Sequence, residues 1–243
     1  MRGWTTAVLA TALLMSVPTA GRAASLQVAP VSIEVQAPGA AATLQLRNVG
    51  TSPLNAQIRV FRWLQVNGQE KLEPTDDVVA SPPIASLASK ADYTVRLVRV
   101  TKQPVSSSES YRLFVDELPD PAARRNRAVN LVLRYSIPVF FYSPDAAEAR
   151  VAWSVEQRGG HLYVSAVNSG DRHVRVSALK LQDGNGAAVS FGNGLTGYVL
   201  GHSTMRWAAP GKTSHSVASS SVVISAQSDR GPIHAVATAQ PVR

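Results

Sequence analysis

Two segments near the middle of the chain constrain what it can fold into. Tyr111-Arg-Leu-Phe-Val-Asp-Glu-Leu-Pro119 and Leu131-Val-Leu-Arg-Tyr-Ser-Ile-Pro-Val-Phe-Phe-Tyr142 both read as strands, and the second is long and apolar at alternate positions. A strand of that kind is normally blunted or covered, because its free backbone groups pair with other chains. Left exposed, it would serve to recruit one.

The remainder repeats this pattern. Alternating apolar and polar residues recur, with turn signals every ten residues or so, and no amphipathic helix is apparent. Leu26, Val28, Ile33 and Val35 mark a first strand interrupted at Pro30, which belongs at an edge or a switch between sheets. In Asn55–Val66, Ala56, Ile58, Val60, Leu64 and Val66 share one face, with Phe61 and Trp63 on the other; Asn67-Gly68 follows as a hairpin turn. Ser81-Pro82-Pro83-Ile84 is a rigid corner that admits a cis bond. A break at Ser143-Pro144-Asp145 divides the chain, and strands recur around Trp153 and Val155, 161–167, 174–181, 187–191 and 214–225. The expectation is an all-β protein of two β-sandwiches: 1–23 a signal peptide, 24–143 a first domain and 144–243 a second.

Arg2, the apolar run Ala7–Val17 and Gly21-Arg22-Ala23 have the form of a cleaved secretory signal. The run is too short to span a bilayer, so a soluble exported product is expected. Of the formal charge of +8, residues 1–23 carry Arg2 and Arg22 and no acid, leaving +6 on the mature chain. Its dense part, Arg124-Arg125-Asn126-Arg127, reads as a solvated loop or as a docking patch for an acidic partner. Nucleic acid is not expected, because no aromatics interleave with the basic residues.

Catalytic chemistry finds little support. The chain has no cysteine, which removes thiolate nucleophiles and Cys-rich metal sites. His161, His173, His202, His215 and His234 form no i, i+2 or i, i+4 pair, so neither a metal site nor a cofactor is expected. There is no Gly-x-Ser-x-Gly elbow and no phosphate-binding loop. Asp116 and Glu117 are strand neighbours that point to opposite faces. No catalytic residue and no small-molecule substrate are assigned.

In the long strand, Val129, Leu131, Leu133 and Tyr135 share one face, and Asn130, Val132, Arg134 and Ser136 the other. The strand either fills its own sandwich or completes a partner's sheet, where the ladder would give affinity and alternate side chains would fill pockets.

Several pieces taken in order carry a resemblance. Thr43-Leu-Gln-Leu-Arg-Asn48, Val79-Ala-Ser-Pro-Pro-Ile84, Tyr93-Thr-Val-Arg-Leu97, Tyr111–Pro119 and Val139-Phe-Phe-Tyr-Ser-Pro144 resemble the periplasmic chaperones of the chaperone–usher pathway, the PapD-like family. The resemblance implies two immunoglobulin-like β-sandwich domains in an angled arrangement. It implies a periplasmic chaperone of pilus subunits that works by donor-strand complementation and delivers them to an outer-membrane usher. The donor face would be Val129, Leu131, Leu133 and Tyr135. The family's cleft pair of basic residues falls on Pro30, or a near neighbour, and Val139. Its interdomain arginine falls on Ser143, so a bridge from Glu117 towards Asp229 lacks its centre. Both departures resemble the archaic, spore-coat-U-type branch, with Arg96, Arg99 or Arg134 as replacement anchors. Self-association of the free protein stays open. So does the alternative of an exported adhesin or pilus component, although the chain enters its first strand without a long alternating extension.

Overall fold

In the computed structural model, which describes residues 25–119, 132–184, 186–211 and 221–241, every regular element is a strand. Residues 1–23, Arg124–Arg127, Val129, Leu131 and His215 lie outside these.

The chain builds ten strands up to Tyr142: β1 (Leu26–Ala29), β2 (Ile33–Gln36), β3 (Ala41–Asn48), β4 (Leu54–Val66), β5 (Gln69–Pro74), β6 (Val78–Ser81), β7 (Ile84–Leu87), β8 (Asp92–Arg99), β9 (Ser108–Leu118) and β10 (Arg134–Tyr142). Alternation decides which face is covered. In β8, Val95 and Leu97 are buried while Thr94 and Arg96 are exposed, and in β3 Leu44, Leu46 and Asn48 are the buried set. Two sheets result. One runs β1-β3-β8-β6. The other runs β2-β10-β9-β4-β5, with β7 also on β4. A single apolar core lies between them, built from residues such as Leu44, Ile58, Leu97, Leu113, Ile137 and Phe141.

The interruption at Pro30 does switch sheets. β1 pairs antiparallel with β3, and after a cis Ala29–Pro30 bond β2 pairs parallel with β10. Asn67 and Gly68, both at positive φ, make the turn between β4 and β5. The corner bond Ser81–Pro82 is cis.

Eight strands follow: β11 (Val151–Arg158), β12 (His161–Asn168), β13 (Val174–Asp183), β14 (Ala188–Ser190), β15 (Leu195–Val199), β16 (Ser203–Ala208), β17 (Ser221–Ser228) and β18 (Gly231–Pro241). Their order is β14-β13-β17-β18-β11-β12-β16, with β15 on β13. β18 pairs with β17 through Thr238, then runs parallel to β11 from Ala239, so it joins both layers of this second sandwich. A separate core, with Val164, Val176, Leu179 and Ile224 fully buried, fills it. β5 is polar but for Leu72 and Pro74, whereas β16 alternates through Met205 and Trp207 and β18 through Ile233, Ala235, Ala237 and Ala239, all packed into the second core.

An asparagine turn recurs in both sandwiches. Asn48 donates to the carbonyls of Ser52, Leu87 and Ala88 and accepts from the Gly50 amide. Asn168 donates to those of Arg172 and Leu200 and accepts from the amides of Arg150 and Gly170.

Candidate functional site

The site is an open strand edge and the junction behind it. β9 flanks β10 along its whole length, but β2 covers only Val139–Tyr142 on the other side. From Leu133 to Pro138 that second edge has no strand partner among the described residues. The Glu117 amide donates to the Leu133 carbonyl, so Leu133 forms a hydrogen-bonded pair with β9. Antiparallel pairs alternate, so the backbone groups of Arg134 and Ser136 point away from β9. Pro138 has the same parity, and a proline has no N–H to leave unpaired on an open edge.

Side-chain direction follows the same alternation. Tyr135, Ile137, Val139 and Phe141 pack into the first core, while Arg134 and Ser136 face out. Tyr135, assigned to the donor face, serves its own sandwich instead: it packs on the first core and its hydroxyl donates to the Leu26 carbonyl of β1. Leu133 is half-buried just beyond the filled core, and Val132 is 47% exposed. β1 pairs only with β3, so it is a second free edge facing the first. Between them opens a cavity of about 450 Å³ lined by Gln27, Val28, Arg47, Asp92 and Tyr135.

The three arginines proposed as anchors do not converge here. Arg99 is committed: both its forks meet Glu109, it donates to the Thr101 and Gln103 carbonyls, and its side chain is only 8% exposed. Arg96 is exposed, but it lies on β8 in the sheet that does not contain β10. Arg134 is on the edge strand, bound to Asp116, which also takes Arg59. These charges hold the Asp116 carboxyl below its usual range; burial alone would raise it. Phe61 and Phe114 pack edge to face beneath the two arginines. The basic residue at the mouth of the cavity is Arg47, 3.7 Å from Asp92. Its alternating, exposed position in β3 had no sequence signal to single it out.

The expected bridge between domains is also differently made. Glu117 is at the far end of β9: Tyr142, next to the second domain, pairs with Ser108, while Glu117 sits beside Leu133 and meets the Ser25 hydroxyl at 3.4 Å. It does not reach Asp229. The junction is instead an aromatic cluster of Trp63, Phe140, Tyr142, Tyr198 and Leu200. The buried arginine in it is Arg112, stacked 3.6 Å above Trp63, 5.2 Å from Tyr198 and 3.5 Å from Glu70. Gln65 acts like a strand across the gap, donating to the Tyr198 carbonyl and accepting from the Leu200 amide. The Gly68 carbonyl accepts from the Arg206 amide of β16. Asp229 is at the junction, 3.9 Å from His173.

These features agree with the comparisons. The family described as pili and flagellar-assembly chaperone, PapD N-terminal domain, matches residues 25–148.

The chain belongs to this PapD-like family.

A chain of the chaperone–tip subunit pre-assembly complex CsuC–CsuE, from the archaic chaperone-usher Csu pili of Acinetobacter baumannii, is 26% identical with a TM-score of 0.68, covering 90% of this chain and 100% of that one. A Salmonella enterica complex of SafA pilin with the SafB chaperone gives 17% identity and 0.59 over 89% and 98% of the two chains. The Escherichia coli chaperone DraB gives 19% and 0.57 over 87% and 98%. The latter two likenesses show the fold: two immunoglobulin-like sandwiches, as in other pilus chaperones. No curated protein matches the chain.

Proposed function

We propose that this PapD-like chaperone holds pilus subunits in the periplasm by donating β10 to their incomplete sheet, and passes them to an outer-membrane usher. The observation that carries this is the open edge of β10 between Leu133 and Pro138. A subunit strand added there would satisfy the outward backbone groups of Arg134 and Ser136. Side chains of Leu133, and of Leu131 and Val129 if the alternation continues, would enter the subunit's core on the face already used by Tyr135. Each leucine fully buried this way contributes roughly 1.5–3 kcal/mol. Among the described residues, Arg47 lining the cavity and Arg134 on the edge are the basic groups placed to meet a subunit carboxylate. The work is binding, with no turnover step. The division at Ser143–Pro144 is part of this reading, supported by two cores that share no residue. Export rests on the apolar run Ala7–Val17.

The test is co-purification from the periplasm with the candidate subunit, using wild type and a variant with Leu131→Arg and Leu133→Arg together. A stoichiometric complex lost in the folded variant is the expected result. A complex that survives moves the interface elsewhere. No complex with any subunit encoded beside the chaperone would favour the adhesin reading.

A further inference from the structure

Beside the aromatic cluster the junction brings together three titratable side chains that strand donation does not use. Glu34 of β2, His173 ahead of β13 and Asp229 in the β17–β18 turn bring one ligating atom each within 4.8 Å of one another. His173 Nε2 lies 3.9 Å from Glu34 Oε1 and 3.9 Å from Asp229 Oδ2. The imidazole is 3% exposed and fixed in orientation. Its ring stacks on Phe140 with centroids 3.7 Å apart, and its Nδ1 is hydrogen-bonded to the Tyr142 hydroxyl.

The carboxylates lack the partners expected of them. Among the described residues, neither Glu34 nor Asp229 has an arginine or lysine nitrogen within 4 Å. The arginines nearest in sequence to His173 and Asp229 are Arg172 and Arg230, and both turn to Glu148 instead. Arg172 also lies over the Tyr142 ring. Among the described residues, Asp229 accepts from the Arg175 amide, at 3.4 Å. Two carboxylates therefore flank a nearly buried imidazole nitrogen, with no arginine or lysine of the described residues paired to them.

We propose that Glu34, His173 and Asp229 form a binding site for a divalent transition ion of the zinc type, shared between the two sandwiches. One imidazole and two carboxylates match the nitrogen and oxygen ligands zinc takes, and a dication would neutralise both acids. With bonds of about 2.0–2.2 Å, tetrahedral ligand atoms sit about 3.4 Å apart. Each carboxylate must therefore close by roughly half an ångström on the imidazole nitrogen, and the two by up to about 1.4 Å on one another, and both are on partly exposed side chains. Their exposure also admits the ion and a water as fourth ligand. In the ligating tautomer Nδ1–H donates to the Tyr142 oxygen, the outer-shell support that metal-bound histidines usually have. The isolated histidines showed no ligand spacing because this set is assembled from three distant segments.

Bound zinc would tie β2, which flanks β10, to the second sandwich. The test uses full mature protein stripped with chelator and titrated with Zn²⁺ alone by calorimetry, with Co²⁺ absorption as a coordination readout. One equivalent should bind, and the melting temperature should rise. Glu34→Gln and Asp229→Asn, at partly exposed positions, should keep the fold by circular dichroism and each weaken binding at least about tenfold, as loss of even an outer-shell partner does. His202→Ala, in the surface pair with Asp171, should change nothing. Absence of saturable Zn²⁺ binding to wild type overturns the proposal, as does binding that both junction substitutions leave unchanged.

Discussion

The guanidinium of Arg112 lies 3.6 Å above the ring of Trp63, and both side chains are buried where the two sandwiches meet. Its charge is offset by Glu70 at 3.5 Å, and by the π faces of Trp63 and Tyr198. Burial disfavours the charged form, so the stacked geometry has to compensate for lost hydration. A desolvated cation–π contact contributes about 2 kcal/mol or more, and lysine cannot reproduce the planar stack. Arg112→Lys should therefore lower stability by about 2 kcal/mol in urea unfolding. Trp63→Ala removes the centre of the cluster and should cost about 3–5 kcal/mol. In both variants the second sandwich should unfold in its own transition, separate from the first. A single unchanged transition would show that Gln65 and the hairpin suffice to couple them.

The ladder contribution to subunit binding can be separated from that of the side chains. Ser136 is exposed, and its amide points to the free edge of β10. Ser136→Pro removes that donor without touching the hydrogen bonds to β9. Proline is tolerated at such edge positions, and Pro138 already occupies the next equivalent one. Thermal melting should show a change within about 1 kcal/mol. Subunit retention should fall at least tenfold if the edge is the ladder. Full retention would mean that the subunit does not pair with this stretch.

Acid should weaken the first sandwich through Glu109. Burial alone would raise its carboxyl, but hydrogen bonds from Arg99 and Tyr111 reverse this and hold it below its ordinary value of 4.5. Asp77 is lowered as well, chiefly by its hydrogen bond from Arg62. A carboxyl depressed in the folded state binds fewer protons there than in the unfolded chain. Its contribution is thus complete above about pH 4.5 and lost as pH falls towards the folded pKa. Glu109→Gln leaves Arg99 buried without its partner and should cost about 3 kcal/mol at pH 7. Its stability should fall less between pH 5 and pH 3 than that of wild type. Parallel pH profiles for the two proteins would remove Glu109 from the acid response.

Local chemistry made most of the first sandwich legible. Period-two burial in β3 and β8, the Asn67-Gly68 turn and the sheet switch at Pro30 each follow from a few adjacent residues. β4 shows where such reading stops. Leu54, Ala56 and Ile58 face the core, but beyond Val60 the strand leaves the sandwich and the buried residue becomes Trp63, on the other face. The covering surface, Tyr198 and Leu200, is more than 130 residues away in sequence. Arg99 looked free because its partner Glu109 belongs to a different strand. The family resemblance places Glu117 at the junction, whereas β9 carries it to the opposite end of the strand, beside Leu133. The Glu34, His173 and Asp229 group has no local spacing at all.

The paired asparagine turns allow one more test. Asn48 is fully buried and its amide serves three carbonyls, at 2.8 Å to Ser52, 3.3 Å to Leu87 and 3.0 Å to Ala88. Asn168 serves two carbonyls, Arg172 at 2.8 Å and Leu200 at 3.1 Å. Replacing either by alanine strands buried acceptors, and each such group costs about 1–3 kcal/mol when water cannot reach it. Asn48→Ala should lower stability by about 3 kcal/mol, confined to the first sandwich. Asn168→Ala releases Leu200, which belongs to the junction cluster, so it should also increase amide exchange at Tyr198 and Gln65. Asn48→Ala should leave exchange at those two residues unchanged. Equal effects of both substitutions at the junction would show that the two sandwiches transmit loss of their asparagine turns alike, against the local account given by the hydrogen bonds.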